Sequence, residues 1–214
     1  MSGHCAGAGV VPPGFCRTRS APKLCGIAAA VSMLPLNGKA RDTFKAVLSR
    51  ISHRGFSLDE TGSVDSRCIL GANRLEIVDR EFGAQPFIAQ DKTSILVFNG
   101  EIYNYRELLA DLKNRGAEFL TFCDTEVILA GYRFAGISWL CESLQGMFAF
   151  IVYDSARKEF LAVRDPFGIK PLYWTETGGV TFFASEIKGL IDLGSTIHEL
   201  GPGQKLIWKD GIVT

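Results

Sequence analysis

No stretch of this chain approaches the run of about 18 apolar residues that a membrane-spanning helix needs, and its first segment lacks the continuous apolar core of a secretory signal. Neither charge is in excess: lysine plus arginine and aspartate plus glutamate stand at 23 each. No basic field is therefore present to concentrate nucleic acid or anionic lipid. The six cysteines, Cys5, Cys16, Cys25, Cys68, Cys123 and Cys141, contain no Cys-x-x-Cys pair, and only three histidines occur. This spacing argues against zinc and against a disulfide framework. No internal repeat is present. The expectation is a cytoplasmic chain with neither a nucleic-acid nor a membrane partner and no metal.

What is present is enough for one full core: 214 residues, 47% of them hydrophobic and 11% aromatic. Residues Met1–Lys23 are rich in Gly, Ala, Pro, Ser and Arg without a period of 2 or 3.6, so 1–24 read as a disordered leader or a mis-assigned start. The ordered domain is expected over 25–214. Phe44, Val47, Leu48 and Ile51 predict a helix over about 40–52. Strands are expected at 68–71, 74–78 and 94–98, the last closed by Asn99-Gly100. A helix over 105–115 would start at a capping box of Asn104 and Glu107 and stop at Gly116, and another, capped by Asp124, would run to about Phe134. A hairpin of 148–153 with 160–164, strands at 172–174 and 180–184, a helix over 185–191 and a last hairpin turned at Asp210-Gly211 complete the pattern. The strands are too apolar to face water on either side, which predicts a layered α+β domain with stacked sheets.

Three stretches carry chemistry. Cys25 heads an apolar strand and can be a nucleophile, although free cysteine is also among the most buried residue types. Asn99-Gly100 can supply donors to an oxyanion or form a type I′ turn, and the helix that opens within about five residues fits the bare hairpin poorly. Asp124 can hold a substrate ammonium, cap its helix, or do both with its two oxygens. Cys68, Cys123 and Cys141 read as core, and His198 as an ordinary loop histidine.

Taken with His53-Arg54-Gly55, Asn73 to Asp79, Gly83-Ala84-Gln85-Pro86, Phe98 to Tyr105, Asp124 to Leu129, Gln145 to Phe150, Arg164 to Tyr173 and Ala184 to Lys188, these stretches appear in one order. The ordered set resembles the class II, N-terminal-nucleophile glutamine amidotransferases, and within them the glutaminase domain of glutamine-hydrolysing asparagine synthetases. The resemblance implies a four-layer αββα sandwich of two antiparallel sheets. It implies hydrolysis of the glutamine side-chain amide to glutamate and ammonia by Cys25, with the Asn99 amide and the Gly100 N–H as the oxyanion hole. It also implies glutamine binding by Arg74, Leu75, Ile77, Val78, Glu101 and Asp124, with Arg74 on the α-carboxylate. For a lone arginine, a solvated strand charge is the alternative. No cofactor is implied in this chain. The 164–173 loop reads as structural at the site, with an interface role second.

The chain departs from the pattern at three places. Phe56 to Gly62 replaces a shorter family segment beginning Pro-Asp, which bears on closure of the loop over the glutamine pocket, and Asn73 stands where the family often has another residue. No Ser-Gly-Gly-x-Asp-Ser loop or other nucleotide cradle occurs, so the synthetase domain is absent and a separate synthetase or other ammonia-accepting chain is expected. Finally, 24 residues precede Cys25; initiation at Leu24 with methionine trimming would free it. The alternatives are a non-catalytic glutamine-binding module blocked by the leader, or a truncated remnant.

Overall fold

A computed structural model of the chain describes residues 25–55, 57–74, 84–194, 196–209 and 212–213. The expected leader and the Asp210-Gly211 turn lie outside them. In chain order the elements are β1 (Gly26–Ser32), α1 (Gly38–Arg50), β2 (Ser57–Gly62), β3 (Cys68–Arg74), β4 (Phe87–Ile88), β5 (Ser94–Ile102), α2 (Tyr105–Asn114), α3 (Asp124–Ser143), β6 (Gly146–Asp154), β7 (Glu159–Arg164), β8 (Tyr173–Thr177), β9 (Val180–Ala184), α4 (Ile187–Leu190), β10 (His198–Glu199), β11 (Lys205–Lys209) and β12 (Ile212–Val213).

The strands form two six-stranded sheets, ordered β10-β8-β9-β1-β3-β2 and β12-β11-β7-β6-β5-β4. Every recorded strand pair is antiparallel. The layering follows from period-2 alternation with both faces apolar. On β1, Ile27, Ala29 and Val31 point between the sheets, where they meet Val97 and Ile151. Ala28 and Ala30 point outward to Phe44, Val47 and Leu48 of α1 and to Leu190 of α4. On β6, Phe148, Phe150 and Val152 face Leu108 and Leu112 of α2 and Val127 and Ile128 of α3, while Ala149, Ile151 and Tyr153 face the other sheet. Helices thus cover both outer faces, giving the expected αββα sandwich.

The boundaries correct several expectations. The strands expected at 68–71 and 74–78 begin as one, β3, and 75–78 lie outside the described residues. β5 does not close at Asn99-Gly100 but runs through both to Ile102, because β6 continues beside it and pairs Asn99 with Ala149 and Gly100 with Phe148. Ser57–Gly62 is an edge strand on β3 rather than a loop. Asn104 does not cap α2 with its side chain; it donates to Ser143 O at 2.9 Å and accepts from Gln145 N–H at 3.1 Å, tying the helix start to the end of α3. The N-cap of α3 is Cys123, so Asp124 lies in the first turn, and the helix runs past Phe134 to Ser143 across a break at Gly136. Gly116, at φ 93°, ends α2 as expected. Asn73 is fully buried, and its amide donates to Leu48 O at 2.8 Å near the end of α1. It locks the helix to the sheet.

Candidate active site

The site is assembled at the end of the sandwich where β1 begins. Cys25 directly precedes β1, in the middle of its sheet between β3 and β9, and its thiol is free and half-buried. Ser185, fully buried after β9, holds the next turn of backbone: its Oγ accepts from Ile27 N–H at 2.9 Å and its own N–H donates to Ile27 O at 3.0 Å. The short 3₁₀ turn Ser52–Arg54 after α1 delivers Arg54, whose Nε–H donates to Cys25 O at 3.1 Å and whose Nη1 donates to Glu186 Oε1 at 2.7 Å. A Cβ on Gly26 would stand 3.2 Å from the Arg54 side chain, so glycine lets the arginine close on the strand. His53 extends the pair. With the proton on Nε2, it donates to Glu186 Oε1 at 3.0 Å, and its Nδ1 accepts from Lys188 Nζ at 2.9 Å. Burial pushes the Glu186 carboxyl up, but the hydrogen bonds and charges of Arg54 and His53 outweigh it and leave it below the usual carboxylate range.

Across the gap, β5 packs on β1. Ile95 and Val97 face between the sheets, so the strand period places Asn99 on that same face. Asn99 is 1% exposed, and among the described residues its Nδ2 has no hydrogen-bond partner. A buried amide donor without an acceptor is costly in a native core, commonly about 1–3 kcal/mol, and calls for an explanation. Gly100 follows at φ 159°, and a Cβ there would lie 2.1 Å from Met147 O, so no other residue fits against β6.

Next along β5 comes Glu101, exposed, and beside it Asp124 from α3, whose Oδ2 accepts from Ile102 N–H at 3.2 Å. Burial pushes the Asp124 carboxyl up and the charge of Glu101 adds to this, against the pull of backbone N–H groups, so it stands above its ordinary value. Among the described residues neither carboxylate has an ion-pair partner. Two adjacent carboxylates without a cation make a place suited to an ammonium group.

The loop after β7 closes this end. Asp165, fully buried, accepts from the N–H groups of Phe148 (3.3 Å), Phe167 (3.1 Å), Ile169 (3.0 Å) and Lys170 (3.0 Å). Arg164 donates to the carbonyls of Gly168 (2.8 Å), Lys170 (2.8 Å) and Leu200 (2.6 Å). The Lys170 side chain is carried inward and is only 3% exposed.

The structure therefore gathers Glu101 and Asp124 and sets Asn99 and Gly100 on the strand facing the sheet that Cys25 begins. Arg74 is described by its backbone alone, as the last residue of β3 opposite Ser57. Leu75, Ile77 and Val78 lie outside the described residues. Arg54 and Glu186 belong to the site although neither stands out in the sequence; each sits inside a quoted motif, and only the fold shows that these motifs meet at Cys25. His198 stacks on Trp174 with ring centroids 4.5 Å apart, and no group of three metal-ligating side chains occurs among the described residues. Cys68 is core, as expected. Cys141 packs half-buried beside the outer core of α3, and Cys123 takes the N-cap position with its Sγ 3.0 Å from Thr121 Oγ1. No described helix is long and apolar enough to cross a membrane.

A family profile described as a glutamine amidotransferase domain matches residues 24–206. Asparagine synthetase [glutamine-hydrolyzing] 1 of Bacillus subtilis is 40% identical over 170 residues, covering 78% of this chain and 27% of that protein. Asparagine synthetase B of Escherichia coli is 44% identical over 166 residues, 77% of this chain and 29% of that one. The chain thus spans less than a third of the length of these curated relatives. Among solved structures, glutamine phosphoribosylpyrophosphate amidotransferase from B. subtilis superposes with a TM-score of 0.69 at 22% identity, over 89% of this chain and 48% of that one. At that identity the likeness is one of fold.

Proposed function

The chain belongs to the glutamine amidotransferase domain family, and from that premise we propose that it is a glutaminase that releases ammonia from the side-chain amide of glutamine for an amidation of the asparagine-synthetase kind. The observation that carries the reading is Asn99, a buried amide whose N–H donors have no acceptor among the described residues and whose strand face looks onto the sheet begun by Cys25. The Cys25 thiolate attacks the amide carbon. The oxygen that becomes negative is received by the Asn99 amide and the Gly100 N–H, which need no reorganisation to do so. The intermediate collapses to a thioester and ammonia, and water then releases glutamate. When Cys25 is the first residue, its α-amine, with a reference pKa of about 7.7–8.0, serves as the base. Glu101 and Asp124 receive the substrate ammonium, and Arg74, with Leu75, Ile77 and Val78, the rest of the amino acid. No cofactor enters these steps. The ammonia acceptor is a synthetase, and the cytoplasm is the compartment this reading implies.

The test is intact-mass analysis of the product of the native gene, together with glutamate release from glutamine by that product and by its Cys25→Ser variant. A chain beginning at Cys25 that releases glutamate, with release lost in the variant, is the expected result. Glutamate release that survives Cys25→Ser overturns the assignment.

A further inference from the structure

The turn after β9 grips the start of β1 with two consecutive side chains. β9 pairs with β1 up to Ala184, opposite Ala28, and the chain leaves the sheet at Ser185. Ser185 holds Ile27 directly, whereas Glu186 reaches Cys25 through Arg54: Glu186 Oε1 accepts from Arg54 Nη1 at 2.7 Å, and Arg54 Nε–H donates to Cys25 O at 3.1 Å. The Arg54 side chain is 10% exposed and that of Glu186 25%. Arg54 Nη2 is buried, and among the described residues it has no hydrogen-bond partner. A buried donor left unpaired is costly and calls for an explanation. Here the guanidinium is placed to serve Cys25 O ahead of its own remaining donor.

We propose that Glu186 is a positioning residue of the nucleophile, aiming the Cys25 thiol by holding Arg54 on the Cys25 carbonyl. This rests on the reading of Cys25 as the attacking group and of its α-amine as the base. A residue inside a chain is fixed by a rigid peptide plane on each side, whereas a first residue has only one. The amine and the thiol of Cys25 then both hang from the Cys25–Gly26 plane, and a tilt of that plane displaces base and nucleophile together. Gly26 is in register with Asn73 in the sheet, but the Cys25 carbonyl precedes the strand and is held by a side chain instead. His53 and Lys188 do not replace Glu186 in this. Both are half exposed and act on the carboxylate itself, His53 Nε2 at 3.0 Å from Oε1 and Lys188 Nζ at 3.4 Å from Oε2. Glu186 is thus the junction through which the turn after β9 reaches the reacting residue. A displacement of about 1 Å at a reacting atom costs roughly 100-fold in rate, so a residue that touches no substrate can govern turnover in this way.

The test uses the full chain, with steady-state glutamate release beside nuclear magnetic resonance of the Cys25 carbonyl. Cys25-Gly26 is the one Cys-Gly step in the sequence, so cysteine labelled with carbon-13 at the carbonyl and glycine labelled with nitrogen-15 give a single carbonyl-to-amide peak. Glu186→Ala is expected to move that carbonyl resonance upfield, as loss of a hydrogen bond does, and to lower kcat by roughly 100-fold with KM near the parental value. Glu186→Gln, which keeps an oxygen for Arg54 Nη1, is expected to restore the resonance and most of kcat. If the alanine variant does not fold, Arg54→Lys takes its place, because a single ammonium lacks the fork that serves Cys25 O and Glu186 at once. An unmoved resonance in the folded variant overturns the proposal, as does a moved resonance with parental kcat. An equal loss of kcat in Glu186→Gln also overturns it and makes Glu186 a counter-charge for Arg54 only. A parent chain that releases no glutamate removes the glutaminase reading, and the resonance, read without turnover, then decides by itself whether Glu186 holds the Cys25 carbonyl.

Discussion

Among the described residues, Asn99 and Asp124 carry opposite kinds of unmet demand, a donor without an acceptor and a carboxylate without a cation. Removing the first should cost nothing in the empty protein. Asn99→Ala is expected to lower glutamine turnover by roughly 100- to 1,000-fold, the scale of one lost oxyanion donor, with an unchanged melting temperature; steady-state glutamate release and calorimetry check the two halves. For Asp124 the folded carboxyl titrates above its unfolded value, so the native state holds its proton more firmly. Its contribution to stability is present at low pH and is lost as pH rises from 3.8 through the folded value. Asp124→Asn, which keeps an oxygen for Ile102 N–H, should therefore melt no lower than the parent at pH 7. Its KM for glutamine should rise by roughly 10- to 100-fold, since a charge-assisted hydrogen bond is worth about 1.5–3 kcal/mol. A variant that melts early but binds glutamine normally would make Asp124 a helix-start residue only.

At the scale of elements, β5 shows what was legible in sequence and what was not. Ser94 to Phe98 announces itself by β-branched and aromatic residues, whereas Asn99-Gly100 carries the composition of a turn and predicts the strand's end. Nothing local reveals that β6 continues beside it to Ile102. The same holds for β2, β4 and β10, which exist because a neighbour supplies the pairing. The N-cap of α3 lies one residue before the expected Asp124 because both Cys123 and Asp124 precede its apolar stripe and no side-chain cap bond marks the start. Chemistry-bearing residues were legible as motifs; their meeting was not, since Arg54 and Glu186 are 132 positions apart. Gly100→Ala tests the strand reading: with Met147 O only 2.1 Å from the new Cβ, β5 must part from β6 at that point. Loss of turnover with a lowered melting temperature is expected, in contrast to Asn99→Ala.

For the whole molecule, the αββα order was legible because near-continuous apolar runs left no sheet face for water, a property of the sum of strands rather than of any one. Its outer helices were legible through their 3.6 period, as with Phe44, Val47 and Leu48 on α1. The sandwich also distributes solvent access unevenly along a single strand. Leu96 to Phe98 lie under α2 and α3 on one side and under the other sheet on the second, whereas Gly100 and Glu101 lie toward solvent. In deuterated water the amides of Leu96, Val97 and Phe98, with those of Phe150 to Val152 opposite, should be among the last to exchange, and those of Gly100 and Glu101 should exchange through small local openings. Mass-resolved exchange would then show a gradient within one strand, from the slowest amides of the molecule to some of its fastest. Occupation of the site by glutamine should flatten that gradient from the fast end alone.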